Sequence, residues 1–155
     1  MNYIPLRVKT SYSLLTSLND IKKMISFCKN NNINAIAITD NNMYGVMEFY
    51  KECLKSNIKP IIGLELIIDD ELFILYAKNY FGYQNLTRIV YVMQNEKITY
   101  DVLKKFCDNL ICVATINNYE MLSNIYDDIY LGYENINERN TDITDKVVYI
   151  NEIRC

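Results

Sequence analysis

The stretch Ile36–Cys53, IAITDNNMYGVMEFYKEC, opens as a buried strand, breaks at Thr39-Asp40 and resumes as an amphipathic helix. Ala35–Ile38 is a continuous apolar run, the pattern of a parallel strand covered on both faces. Val46, Phe49, Tyr50, Cys53 and Leu54 then recur at helical spacing. A strand that passes into a helix through a polar turn is the repeating unit of α/β folds, whose chemistry gathers at the C-terminal ends of strands. Asp40 stands at such an end. Yet Asn41 and Asn42 follow it, and the chain of 155 residues contains no histidine.

The alternation continues on both sides. Tyr3–Val8 is a short β-type run. Ser17 and Asp20 form a capping pattern ahead of Ile21, Met24, Ile25 and Cys28, and the asparagines at 30–32 end that helix. Lys59–Ile62, Glu65–Ile68 and Leu72–Ala77 read as strands, the last two joined at Asp69-Asp70. Helical patterns follow at Tyr83–Met93 and Tyr100–Phe106, the second with Thr99 as N-cap. Leu110–Ala114, Ile129–Leu131 and Val147–Ile150 are further strands, with a short helix near Tyr119–Ile125. No linker or internal repeat divides the chain, so residues 1–155 read as one α/β domain, a parallel barrel or open sheet. The strands beginning near Ile4, Ala35 and Lys59 are expected to be parallel neighbours. Arg7, Lys9, Asp40, Glu65 and Glu152 all fall at or near strand ends and are expected to converge.

Composition narrows the function. Half the residues are apolar and 23% are charged, as in globular proteins. No apolar run reaches the roughly 20 residues of a membrane span, and no signal-peptide pattern opens the chain, so a cytoplasmic location is expected. The five cysteines, Cys28, Cys53, Cys107, Cys112 and Cys155, are odd in number and lack C-x-x-C spacing. Buried thiols explain them better than disulfides or zinc ligands. A net charge of −3 without a Lys/Arg run argues against strong independent nucleic-acid binding. The fourteen tyrosines fall mostly at helix or strand spacing, which suits packing better than base stacking. Ser11, Tyr12 and Ser13 have no histidine to act as base, which excludes a Ser-His device.

Three blocks carry a family resemblance: LRVKTSYSLL (Leu6–Leu15), AIAITDNNMYGVMEFYKECLKSNIKPIIGLEL (Ala35–Leu66) and AKNYFGYQNL (Ala77–Leu86). Their order and spacing resemble the PHP (polymerase and histidinol phosphatase) domains at the N-terminus of bacterial DNA polymerase III alpha subunits. The likeness is weaker after Asn95, held by DNLICVA (Asp108–Ala114) and VVYINEIRC (Val147–Cys155). The resemblance implies a distorted (βα) barrel of about seven strands. It also implies a whole protein that performs template-directed DNA synthesis in replication. The palm, fingers and thumb domains for that activity are absent, so the chain reads as a fragment.

Active members of the family hold three metal ions with histidines and carboxylates. Carried over, those ligand positions fall on Arg7, Lys9, Thr16, Asp40, Asn41, Glu65, Leu72, Ile116, Glu152 and Arg154. Leu72 and Ile116 have no donor atom, and arginine keeps its proton in proteins. A hydrolytic site needs several deprotonated ligands and an open position for water. The resemblance therefore implies a degenerate site with no metal, no cofactor and no catalytic residue. An ion-pair network of Arg7, Lys9 and Arg154 with Asp40, Glu65 and Glu152 is expected in its place. Asp40 has a second reading, as cap of a helix beginning near Met43. The domain is expected to serve as a structural and interaction module, its partners the polymerase domains of the same subunit and a proofreading exonuclease subunit. The alternatives are a residual metal-dependent phosphoesterase or 3′–5′ exonuclease, and a regulatory module that grips phosphate or nucleotide with its arginines.

Overall fold

The computed structural model describes residues 3–13, 20–139 and 141–153. The decisive stretch folds as its pattern requires. Strand β1 (Ala35–Ile38) is buried along its whole length, and helix α2 (Val46–Lys55) buries Val46, Phe49 and Cys53. Tyr50 and Leu54 stay exposed, so the inward stripe of α2 is narrower than the spacing suggests. The helix also starts later than Met43. Its N-cap is Gly45, which makes no side-chain capping bond.

Helix α1 (Ile21–Asn30) is capped by Asp20, whose carboxylate accepts from the Lys22 N–H at 2.8 Å. Ser17 lies outside the described residues. Asn32, with φ 55°, turns the chain after α1 in the left-handed region that asparagine tolerates. Strand β2 (Lys59–Ile68) is continuous, where the sequence pattern suggests two strands broken near Gly63. Gly63 is needed for a close approach: a Cβ there would meet the Tyr76 ring at 3.0 Å and the Thr39 methyl at 3.1 Å. Asp69 and Asp70, at φ 54° and 64°, form the hairpin to β3 (Glu71–Ala77), a turn whose twist matches antiparallel strands.

Helix α3 (Tyr80–Asn95) begins three residues before the apolar pattern, because the Asn79 side chain caps it by accepting from the Gly82 N–H at 3.0 Å. Thr99 caps α4 (Tyr100–Lys105) as expected, accepting from the Val102 N–H. Strand β4 (Leu110–Ala114), helix α5 (Tyr119–Ser123), β5 (Ile129–Tyr133) and β6 (Val147–Tyr149) complete the elements that position the site.

The six strands form one sheet in chain order. The pairs β1–β2, β4–β5 and β5–β6 are parallel, and β3 runs antiparallel to both its neighbours. The seventh stave of the expected barrel is not a regular strand. Residues 5–9 bond to β1 on one side (Ala37 N–H to Pro5 O, Thr39 N–H to Val8 O). On the other side they meet the chain after β6, where Val8 forms an isolated parallel bridge with Ile153. The N-terminal run thus joins the two ends of a curled sheet, and it lies parallel to β1 as expected.

Alternation along the strands separates the two faces of the sheet. One face packs on the helices. Leu64, Leu66, Phe73, Leu75 and Cys112 meet α3, α4 and α5, while Ile36 and Ile38 meet α1 and α2. The other face gathers Ala37, Ile74, Tyr76, Val113 and Ile150 in the lumen, with Ile61, Ile111, Tyr130 and Val148 beside them. The lumen is full. A Cβ on Gly132 would lie 2.7 Å from Ile150 and 2.8 Å from Val113. Cys28, Cys53 and Cys112 are buried free thiols, and burial pushes Cys53 up to about 12. Cys155 lies outside the described residues.

Candidate functional site

The expected convergence occurs at one mouth of this curled sheet. Arg7, on the N-terminal run, donates from Nε to Glu65 Oε1 at 2.6 Å. Its Nη1 donates to Glu134 Oε1 at 2.8 Å, and its Nη2 lies 4.0 Å from Glu152 Oε2. Lys9, two residues on and so on the same face of an extended run, pairs with the other oxygen of Glu65 and donates to the Thr39 carbonyl at 2.8 Å. The side chains of Lys9, Arg7 and Glu65 are 5%, 11% and 11% exposed, so screening by water is weak. Burial by itself lowers the pKa of Arg7, but the Glu65 charge and hydrogen bond, with Glu152 and Glu134 behind them, outweigh it and leave the value raised. Arg7 is a permanent cation held by carboxylates from three parts of the chain.

Asp40 behaves otherwise. It is fully buried, and its Oδ1 accepts from the Thr10 N–H at 2.7 Å and the Ser13 hydroxyl at 2.6 Å. Its Oδ2 accepts from the Thr10 hydroxyl at 2.5 Å. The expectation that Asp40 caps the next helix is therefore corrected. Its carboxylate turns back to the N-terminal run, and α2 begins six residues beyond it, at Val46. Asn41 and Asn42 shape the intervening turn instead: Asn42 donates to the Tyr12 carbonyl and to Asn41 Oδ1, and accepts from the Tyr44 N–H.

Of the remaining sequence-based positions, Leu72 and Ile116 do not join the cluster. Leu72 is a half-buried strand residue of β3 whose carbonyl accepts from the Asn118 side chain. Ile116 is 55% exposed in the turn after β4. Thr16 and Arg154 lie outside the described residues. Three contributors were missed by sequence reasoning: Glu134, Thr10 and Ser13. Glu134 carried a usable signal, an acid directly after a strand, hidden by ending β5 at Leu131 rather than Tyr133. The hydroxyls of Thr10 and Ser13 carried none, since only the fold brings them to Asp40.

Under the mouth, the Tyr76 hydroxyl donates to the Leu6 carbonyl at 2.5 Å. Burial first, and then the Glu65 charge, raise the Tyr76 pKa, with Arg7 opposing them. The phenol is a neutral donor that fastens the N-terminal run to β3. Chemically the mouth offers the paired charges of Arg7, Lys9 and Glu65 over a packed floor.

A curled α/β sheet whose strand-end residues converge at one mouth defines a class, and the PHP domain family matches residues 5–152. The chain belongs to that family. It is similar to DNA polymerase III subunit alpha of Borreliella burgdorferi, with 37% identity over 134 residues, covering 72% of this chain and 12% of that protein. The alpha subunit of Mycoplasma genitalium is 30% identical, covering 83% of this chain and 15% of its own length. The chain thus spans about one-eighth to one-seventh of these relatives. Among solved structures, it resembles a two-domain Bacteroides vulgatus protein described as containing a predicted PHP-like metal-dependent phosphoesterase. The TM-score is 0.59 at 9% identity, covering 83% of this chain and 43% of the other, a likeness of fold. Among the described residues, no helix is long and apolar enough to cross a membrane.

Proposed function

We propose that this chain is the PHP domain of a DNA polymerase III alpha subunit and works as a metal-free structural and interaction module. One observation carries the reading: the cations of Arg7 and Lys9 sit on the two oxygens of Glu65, at family positions where active members hold metal. A divalent ion would have to displace both cations or share the site with them, at a distance where like charges repel strongly in a partly dry environment. The rest of the donor set does not fit a metal centre either. Asp40 is committed to Thr10 and Ser13, and Leu72 and Ile116 have no side-chain donor. A phosphate grip has no more support, because Arg7 is already engaged by three carboxylates.

On this reading, residues 1–155 act as one domain. The whole subunit performs template-directed deoxynucleotidyl transfer in the cytoplasm, and this domain supports the polymerase domains and a proofreading exonuclease subunit without hydrolysis of its own. The test is direct. Given manganese or zinc, the purified chain should hydrolyse neither single-stranded DNA nor p-nitrophenyl phosphate above a control without protein. Metal-dependent turnover that disappears in Glu65→Ala would overturn the proposal.

A further inference from the structure

The N-terminal run, residues 3–13, is held by a different kind of force from the sheet it closes. Its buried residues are Pro5, Arg7, Val8, Lys9, Thr10 and Ser13. Arg7, Lys9, Thr10 and Ser13 are polar or charged, and only Val8 joins an apolar cluster, the one beneath α1 and α2. The cluster that binds β2–β5 to α3, α4 and α5 contains no residue of the run, and neither does the cluster that fills the lumen. The six strands therefore keep most of their apolar core when the run is taken away.

Water sets the cost of releasing it. A hydrogen bond given up on release is largely replaced by one to water, and Arg7, Lys9, Asp40 and Glu65 recover their hydration. Apolar burial has no such replacement, because its driving force is the removal of surface from water. The sheet and its helices are held mainly by the second kind of interaction, the run mainly by the first. Its backbone is also tied at few points. The Pro5 and Val8 carbonyls accept from the Ala37 and Thr39 amides on one side, and the parallel bridge of Val8 with Ile153 holds the other. Segments with few apolar contacts and sparse backbone pairing open well below the free energy of global unfolding.

We propose that residues 3–13 form a stave that opens as a unit while the six-stranded sheet stays folded. Opening parts the closure between β1 and the chain after β6. It also takes the mouth apart, since Arg7, Lys9, Thr10 and Ser13 leave Glu65 and Asp40 together. The fold thus contains a device that makes and unmakes the mouth without unfolding the domain. Strand β1 supplies an internal control for the test. The Ala37 and Thr39 amides donate to the run, and alternation turns the Ile36 and Ile38 amides toward β2. The experiment is native-state hydrogen exchange of the ¹⁵N-labelled chain under rising urea. The Thr10, Ala37, Thr39 and Ile153 amides should share one opening equilibrium, with exchange about tenfold or more faster than at Ile38 and Leu75 and a shallower urea dependence. Ile89→Val trims the core that contains no residue of the run. It should speed Leu75 about fivefold and leave Ala37 and Thr39 unchanged, because the open form keeps that core. One common rate and urea slope for Ala37, Ile38 and Leu75 would overturn the inference, as would an equal response of Ala37 and Leu75 to Ile89→Val. Either result would mean that the run leaves only on global unfolding. Unrelated values among Thr10, Ala37, Thr39 and Ile153 would overturn it too, because the stave would then not move as a unit.

Discussion

Glu65 and Asp40 are acids at the same mouth, joined through the backbone where the Glu65 N–H donates to the Asp40 carbonyl at 3.1 Å. They are satisfied by opposite means. Glu65 is met by two full cations, Asp40 by one amide and two hydroxyl donors. Yet every one of those partners lies between Arg7 and Ser13. That segment has no regular strand ladder, only the bridge at Val8 and a few backbone bonds. The two acids therefore do the same mechanical work, fastening the N-terminal run where sheet pairing is sparse, one through cations and the other through hydrogen bonds from neutral donors. Side-chain contacts at this mouth take over part of the role that a ladder has elsewhere in the sheet.

The largest effect should come from the charged fastening. Glu65→Gln takes the shared carboxylate away from Lys9 and Arg7, leaving Arg7 with the more exposed Glu134 and Glu152, and the expected loss is about 3–5 kcal/mol in urea melts. Combined with Lys9→Met, the double variant should lose less than the sum of the single losses, and the coupling should persist in 1 M salt because the pair is shielded from solvent. The pH dependence has a definite sign. The Arg7 value is raised on folding, so its contribution is fully present below the unfolded value and is lost only as pH rises through the still higher folded one. The Glu65→Gln loss should thus be the same at pH 6 and pH 9. Near-zero, additive changes would show that the cations face solvent and that the two acids do not share a role.

The neutral fastening should be weaker. In Asp40→Asn one oxygen is replaced by an NH₂ group that meets a donor, so at least one hydrogen bond is lost and a donor is left unsatisfied. The expected cost is about 1–3 kcal/mol, independent of salt. Hydrogen exchange at the Thr10 amide, which donates to Asp40, should quicken in step with it. An unchanged Thr10 exchange rate would mean that the run is held without Asp40.

What the sequence revealed and what it hid divide along local and tertiary physics. Ala35–Ile38, the Asp69-Asp70 hairpin and the Thr99 cap depend on residues close in the chain, and all three were readable. The continuity of β2 through Gly63 was not, because the reason for that glycine is Tyr76 and Thr39, which only folding brings near. The reading of Asp40 as a cap failed for a similar reason. A cap is a local competitor, and the donors that won are about thirty residues away in the chain. The pairing of Arg7 with Glu65 was legible, since both lie at strand positions aimed at one mouth. Glu134 needed the true end of β5, and a strand boundary is the part of a pattern that periodicity places least firmly.

The smallest effect belongs to a pair with the same chemistry and none of the burial. Asp128 lies 3.0 Å from Lys78 and 3.3 Å from Lys146, with side chains 30%, 41% and 45% exposed. The Lys78 hydrogen bond above all, with Lys146 adding to it, holds the Asp128 carboxyl below its ordinary 3.8. A lowered carboxylate contributes stability that is present above the unfolded value and lost as pH falls through the lower folded one. At neutral pH the contribution is complete, but water and salt screen it and two long side chains lose freedom to make it. Lys78→Met should therefore change stability by only ~0–1 kcal/mol at pH 7. In 1 M salt, where the screening length shrinks to roughly 3 Å, the change should approach zero. Below the folded Asp128 value it should approach zero as well, because the partner is then protonated. The measurement is the urea midpoint of Lys78→Met against the parent chain at low and high salt. A salt-resistant loss as large as that of Glu65→Gln would show that burial does not separate the mouth from the surface, and the contrast between the charged fastening and an ordinary ion pair would fail.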